Sequence, residues 1–316
     1  MRVLHITNNY PTQQHPIFGI FVKEQIDSLI KLGLECDVFF INGKEKGKLE
    51  YIKCVKDLKN KIEENSYDII HCHHAFSGVV AILFSGLQRK YPIVISFQND
   101  PANEAKFNLF NLLSTRSSAW IFKNNSVYAV PPKGYYLPNG VNTDFFKPIS
   151  RIDACNKLNL DPSKRYILFV SSNYIRKQKR YDKFLSVLSV LKSQYGLNDI
   201  EELQMINVNR DLVPYYFNAA SLHLLTSDFE GSPNSVKEAM ACNIPVVSTN
   251  VGNVSDLLSD VNGSFVVNSG EIEDLALHVI QSLNTSDYNS RTMLIQKKLD
   301  IKSVAIKLNN IYQSLI

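Results

Sequence analysis

Two kinds of hydrophobic pattern alternate along this chain. Blocks of β-branched and aromatic residues appear as RVLHIT (2–7), CDVFFI (36–41), DIIHCHH (68–74) and PIVISFQ (92–98). Between them, apolar residues recur every third or fourth position: in GIFVKEQIDSLIKLG (19–33), in the lysine-rich stretch 44–61, and in FSGVVAILFSGLQRK (76–90). The blocks predict buried strands and the wider spacing predicts helices, the first of them ending at Gly33. The pattern turns irregular through 103–135 and then reaches YYLPNGVNTDFFKP (135–148), whose Pro138, Asn139, Gly140 and Pro148 are turn and linker chemistry. Alternation resumes with the strand blocks YILFVSS, ELQMINV, LHLLTS, IPVVST and SFVV. The helical patterns between and after them are KFLSVLSVLKSQYG, VPYYFNAAS, PNSVKEAMAC, EIEDLALHVIQSL and SVAIKLNNIYQSLI. Strand–helix alternation predicts parallel sheets covered by helices on both faces. The expected architecture is α/β: two doubly wound, Rossmann-like domains, 1–148 and 149–316, with the last helix free to pack back on the first.

In such sheets ligands bind outside the carboxyl ends of the strands, at a switch in strand order. The loops Asn8–Gly19, His71–Ser77, Gln98–Asp100, Ser171–Arg180 and Asp228–Ser235 are therefore the ones to search, and two facing domains would set them across a cleft. Bulk properties narrow the ligand only slightly. The 316 residues are 45% hydrophobic and 20% charged, ordinary for a globular protein. The N-terminus carries no apolar signal region, and FSGVVAILFSGL is shorter than a membrane span needs. Five scattered cysteines without a CxxC pair fit reduced thiols and a cytoplasmic location.

The net charge of +4 lies wholly in the first half, where 17 Lys and Arg face 13 Asp and Glu; the second half has 17 of each. Much of the excess sits in KEKGKLEYIKCVKDLKNK (44–61). That stretch reads first as a solvated helix face. It reads second as a peripheral contact with anionic lipid on the inner face of a membrane, with Tyr51, Val55, Leu58 and Ile62 opposite the lysines. It lacks the interleaved aromatics of a nucleic-acid binder, and no G-x-G-x-x-G follows the first strand of either half, which argues against a nicotinamide oxidoreductase.

The candidate chemistry concentrates in DFEGSPNSVKEAMA (228–241). Ser232 suits an N-cap and Pro233 a first helical position. The helix then offers the N–H groups of Asn234, Ser235 and Val236 and its positive dipole end to an anion. Glu230 and Glu238 flank that start, and carboxylates accept well from paired sugar hydroxyls. A diphosphate with a sugar ring on each side, a nucleotide-sugar, fits this spacing; a capping network and a surface ion pair are the ordinary alternative. RKQKRYDK (176–183) adds five cations in eight residues at another helix start. There they oppose the dipole, so a bound anion is expected to offset them.

EGSPNSVKEAMACNIPVVSTNVG resembles the E-x7-E signature of glycosyltransferase family 4, retaining enzymes of the GT-B fold. LPNGVNTDFFKP is similar to the family's interdomain segment, and Lys179-Arg180-Tyr181-Asp182 to its K-x-x-D loop. Gly19, before Phe21, Glu24 and Gln25, is similar to its first glycine loop. The resemblance implies that Glu238 holds the ribose hydroxyls of a UDP- or GDP-sugar, that Glu230 contacts the transferred sugar as the catalytic carboxylate, and that Lys179 meets the diphosphate. It implies that backbone N–H groups from Gly231 and Ser232 to Asn234 and Ser235 line the phosphates, and that Gly19 admits the backbone of the other domain beside them. It further implies no cofactor and no metal, in keeping with the lack of an Asp-x-Asp motif, and a front-face displacement carried by positioning and electrostatics. The implied acceptor is a growing glycan or lipid-linked saccharide, as in polysaccharide biosynthesis.

Three departures stand against the pattern. Ser171-Ser172-Asn173 replaces a family Arg, for which Arg176 or Arg180 is the substitute. Gln98-Asn99-Asp100 replaces a motif with histidine, and the chain is shortened between Val130 and Pro131. They motivate a degenerate GT-B protein acting as a sugar-binding or scaffold subunit; a nucleotide-sugar epimerase is a further alternative. His74, Gln98 and Asp100 are the acceptor-side candidates. His71 and His73 share a strand face without a third ligand nearby in sequence, so His71 is expected in the sheet and no metal is expected. Trp120, Tyr135 and Tyr136 read as packing, and the nucleobase is expected near Asn207–Arg210.

Overall fold

A computed structural model of the protein describes residues 1–98, 101–124, 133–171 and 176–316, with backbone alone at 101–108. Its chain divides into two compact units, Met1–Gly140 with Ile301–Ile316, and Val141–Asp300. The first is built on parallel strands β1 (Arg2–Thr7), β2 (Glu35–Phe40), β3 (Ile69–His73), β4 (Ile93–Phe97), β5 (Ala119–Phe122) and β6 (Gly134–Tyr136), in the order β2-β1-β3-β4-β5-β6. Helices α1 (Ile20–Lys31), α2 (Gly43–Lys46), α3 (Glu50–Glu63), α4 (Ala75–Val79) and α5 (Pro101–Arg116) cover it. Successive strand residues point to opposite faces. Leu4, Ile6, Ile70, Cys72 and Ile95 join one core, and Val3, Ile69, Val94 and Ile121 join another.

The second unit has parallel strands β7 (Arg165–Ser171), β8 (Ile200–Ile206), β9 (Leu222–Leu225), β10 (Val246–Thr249) and β11 (Phe265–Val267), ordered β11-β10-β9-β7-β8. Its helices are α6 (Arg151–Lys157), α7 (Tyr181–Ser193), α8 (Val213–Ala219), α9 (Asn234–Ala241), α10 (Val254–Leu258), α11 (Ile272–Leu283) and α12 (Ser290–Gln296). The last helix, α13 (Ile301–Gln313), belongs to the first unit. There Val304, Ala305, Leu308 and Tyr312 pack with Val3, Leu29 and Ile69.

The sheet orders place a switch between β1 and β3 in the first unit and between β7 and β9 in the second. In open α/β sheets the strand ends beside such a switch are where ligands bind. The units divide at Gly140 and Val141, earlier than the junction expected at 148. Val141 and Phe146 are core residues of the second unit, and Arg291 donates to the carbonyls of Thr143 and Phe146 at 3.0 and 2.9 Å.

Two expectations for the first unit are corrected. The irregular 103–135 stretch contains α5 and β5: the apolar residues of α5 crowd its second half instead of recurring regularly, and β5 is only AWIF. The basic stretch is two helices broken at Gly47, which has φ of 82°. Moreover, Cys54, Leu58 and Ile62 of α3 are buried in the core, with Tyr51 and Val55 against them. The apolar side expected to touch lipid is the side that holds α3 to its own domain. Leu49 and Ile52, at 65% and 61% exposure, stand outside beside the exposed Lys53, Lys56 and Lys59.

Candidate active site

At the switch of the second sheet, the loops after β7 and β9 are laced together. The Asp228 N–H donates to the Gln178 carbonyl at 2.8 Å, and the Thr226 hydroxyl donates to that of Lys179 at 2.9 Å. This fixes a short 3₁₀ turn, Lys177–Lys179, beside the glutamate loop. Lys179 Nζ donates to Glu230 Oε1 at 2.6 Å, and the Ser227 hydroxyl donates to the same oxygen at 2.8 Å. Both partners of the Lys179–Glu230 pair are largely shielded, at 12% and 14% side-chain exposure, where attraction between charges outweighs what it would be in open water. Arg180, in the left-handed region at φ of 50°, pairs with Asp182 at 2.8 Å and Asp228 at 3.1 Å. Lys183 donates to the Gly270 carbonyl at 3.0 Å. Carboxylates of the protein thus meet Lys179 and Arg180, and a backbone carbonyl meets Lys183. Arg176 lies exposed at the start of the 3₁₀ turn.

The helix α9 begins one residue later than expected. Pro233 occupies the cap with no side-chain hydrogen bond, and Asn234 is the first helical residue. Ser232 does not cap, because its hydroxyl accepts from Lys237 Nζ at 3.0 Å, and Lys237 is only 1% exposed. A buried ammonium needs such partners, and here that need takes precedence over capping. Ser235 turns its hydroxyl inward to His223 Nε2 at 3.1 Å, while His223 Nδ1 meets the Leu168 carbonyl at 3.1 Å. Any part of Ser235 in ligand binding is thus left to its backbone. Burial lowers the His223 pKa to about 4, so this contact between strand and helix is neutral at ordinary pH.

Glu238, a turn inside α9, is met by Arg210 Nη1 at 3.1 Å. Arg210 opens a 3₁₀ turn after β8, and its guanidinium lies over the rings of Phe145 and Phe146, 5.2 and 4.8 Å from their centroids. The sequence reading placed a nucleobase near Arg210 but missed this ion pair, which joins residues 28 positions apart. It also missed Gly252. With φ of 56°, Gly252 lies under the glutamate loop, and a Cβ there would stand 2.3 Å from the Gly231 carbonyl oxygen and 2.8 Å from that of Glu230. Gly252→Ala is expected to cost roughly 1–3 kcal/mol and to displace Glu230. Thermal unfolding and nucleotide titration read the two effects separately. Gly19 is equally constrained: at φ of 67° an added Cβ would lie 2.2 Å from the Asn9 carbonyl carbon, so the glycine is required by its own loop.

In the first unit, His74 has φ of 92° and caps α4, its Nδ1 accepting from the Phe76 N–H at 3.3 Å. Gln98 Oε1 accepts from Asn139 Nδ2 at 3.3 Å. Asp100 lies outside the described residues, as do Asn99, Ser172, Asn173, Val130 and Pro131. His71 is packed in the sheet, donating or accepting at both nitrogens, to Tyr312 Oη at 2.5 Å and Ser96 Oγ at 2.7 Å. A third histidine does come close. His5 stands opposite His71 in the β1–β3 register, and its Nδ1 lies 3.0 Å from His73 Nε2. One ligand atom from each of the three falls within 4.8 Å of the others. Burial first, then the neighbouring histidines, and last the charge of Lys123, itself 1% exposed, lower the pKa of His71 and His73. An ammonium so near opposes a cation, and the described residues place no carboxylate in the group to offset one.

Residues 164–285 match the family model described as "Glycosyl transferases group 1", and residues 19–118 match "Glycosyl transferase 4-like". An uncharacterized 41.2 kDa protein in the cps region of Klebsiella pneumoniae is 28% identical over 253 residues, covering 69% of each chain. The Escherichia coli UDP-Gal:alpha-D-GlcNAc-diphosphoundecaprenol alpha-1,3-galactosyltransferase is 20% identical, over 84% of this chain and 81% of its own. Sucrose-phosphate synthase from Thermosynechococcus elongatus superposes with a TM-score of 0.77 at 15% identity, covering 100% of this chain and 99% of that one. Two parallel-sheet units of this order, with that superposition, give the chain the GT-B fold. Within that class, the chain belongs to the family 4-like glycosyltransferases.

Proposed function

We propose that the protein is a retaining, metal-independent transferase that moves a sugar from a UDP- or GDP-sugar to a glycan or lipid-linked saccharide. The observation that carries this reading is the pair of glutamates on either side of the α9 start, each held by a cation from a neighbouring loop. In this reading Glu238 receives the ribose diol and Glu230 the transferred sugar. Lys179 turns from Glu230 to the diphosphate, which also meets Arg176 and the N–H groups of Gly231, Ser232, Asn234 and Ser235. As the glycosidic bond breaks, negative charge grows on the leaving diphosphate, and fixed cations and N–H dipoles stabilise it most in the transition state. The acceptor hydroxyl attacks on the same face and its proton passes to the leaving phosphate, while His74, Gln98 and Asp100 orient the acceptor. The UDP-Gal donor and diphosphoundecaprenol-linked acceptor named for the Escherichia coli relative support both substrate classes.

Transfer to a lipid-diphosphate saccharide is tested with a panel of UDP- and GDP-sugars in the presence of EDTA, and the product anomer is read by NMR. Turnover with retained configuration is expected. Inversion, or activity that EDTA removes, would contradict the mechanism, and sugar isomerised without acceptor would identify an epimerase. No helix among the described residues is long and apolar enough to cross a membrane. The outward side of α3, with Leu49, Ile52, Lys53, Lys56 and Lys59, supports instead a peripheral contact with acidic lipid. Co-sedimentation with phosphatidylglycerol vesicles is expected at low salt and lost at high salt; absence of binding at low salt removes that contact.

A further inference from the structure

Arg210 is placed to do more than neutralise Glu238. Its turn is held by Asn209, whose side chain accepts from the Asp211 N–H at 3.2 Å. The aromatic shelf beneath its guanidinium is held in turn: Asn142 Oδ1 accepts from the N–H groups of Asp144 and Phe145 at 3.1 and 3.2 Å, and Arg291 donates to the carbonyls on either side. A planar cation lying on two rings has lost its freedom before any ligand arrives. It meets Glu238 through a single oxygen, Oε1. Glu238 is on α9, Arg210 follows β8, and the phenylalanines precede α6, so the cation that meets the carboxylate is itself seated on a third segment. A flexible glutamate would have to be ordered by the ligand; this one is ordered by the protein, which reduces the entropic cost of binding.

We propose that Arg210 is a positioning residue that presents the Glu238 carboxylate to the vicinal diol of the donor's ribose. The inference rests on the reading of Glu238 as the diol acceptor. It assigns Arg210 no contact with base or phosphate, and so its effect on a ligand without the diol should be nil.

The test is calorimetric titration of UDP and GDP, and of their 2′,3′-dideoxy analogues, into wild type, Arg210→Met, Arg210→Lys, Glu238→Gln and the Met/Gln double variant. Wild type is expected to prefer the ribose form of the bound nucleotide by about a hundredfold, for two hydrogen bonds to a charged acceptor. Arg210→Met should lose about tenfold on the ribose form and stay within twofold on the dideoxy form. Arg210→Lys, which keeps the charge and guards against a misfolded Met variant, should recover part of that loss. In the Glu238→Gln background, removing Arg210 should change nothing further. Equal losses on both forms, or additive effects of the two substitutions, would overturn the role. If wild type fails to distinguish ribose from dideoxyribose, the reading of Glu238 falls and the proposal with it. If wild type and Glu238→Gln behave as stated but Arg210→Met binds like wild type, the Glu238 reading stands and Arg210 alone is wrong.

Discussion

Glu230→Gln is expected to lower kcat by roughly 10²–10³-fold while moving the donor KM by less than about threefold. Glu230 Oε1 takes hydrogen bonds from Lys179 and Ser227, and the Ser227 hydroxyl can keep the carboxylate in place when Lys179 turns to the diphosphate. The proposed mechanism asks it to face positive character that grows on the sugar ring only as the bond to phosphate breaks. An amide of the same shape keeps the ground-state hydrogen bonding and loses the charge, which is why the loss should fall on kcat. Glu238→Ala should behave differently. It removes an acceptor used equally before and during reaction, so the donor KM should rise while kcat holds. Steady-state kinetics over a range of donor concentrations separates the two, and the same KM-dominated loss in both variants would contradict the assignment of roles.

Mild acid should unfold the first unit well before it affects surface carboxylates. His5, His71 and His73 are buried together, and burial pushes His5 down to about 3 and the other two well below the ordinary histidine value of 6.5. Above pH 6.5 neither the folded nor the unfolded chain binds these protons, and stability does not depend on them. Below it the unfolded chain takes up protons that the folded chain refuses, so stability falls with pH until the folded values are reached. Each histidine contributes about 1.4 kcal/mol per pH unit. At pH 5, 1.5 units below the unfolded pKa, His5 alone lowers stability by about 2 kcal/mol, and His71 and His73 act in the same direction, against an ordinary domain's total of about 5–15 kcal/mol. The second unit has one such histidine among the described residues, His223. The chain's single tryptophan, Trp120, lies in β5 and reports on the first unit alone. Its emission should shift red between pH 6.5 and 4.5; an unchanged spectrum to pH 4 would mean the cluster accepts protons in place.

The elements that could be read in advance are those whose sequence is governed by local periodicity. RVLHIT, DIIHCHH and YILFVSS became β1, β3 and β7 because strands buried on both faces are written as continuous apolar blocks. α5 and β5 escaped because their burial depends on distant partners more than on their own spacing. Ser232 illustrates a second limit: a serine before proline reads as a cap, and only the fold shows that Lys237 has claimed its hydroxyl. The glutamates themselves were legible from the turn and helix start between them. Their cations were legible only in part. Lys179 stands in a basic run, whereas Arg210, Gly252 and His5 reach their places through strand order, which no local pattern records.

The central claim is that the α9 start and its two glutamates receive a nucleotide-sugar, and a thermal-shift panel of UDP- and GDP-sugars against wild type and Glu238→Ala tests it most directly. A ligand at about 100 times its dissociation constant adds about 2.7 kcal/mol to the folded state. The account predicts a clear rise in Tm with one nucleotide class for wild type and its loss in Glu238→Ala. No rise with any donor, or a rise that the variant retains in full, would contradict the account; the first result would make the protein a scaffold that has kept the fold without the donor.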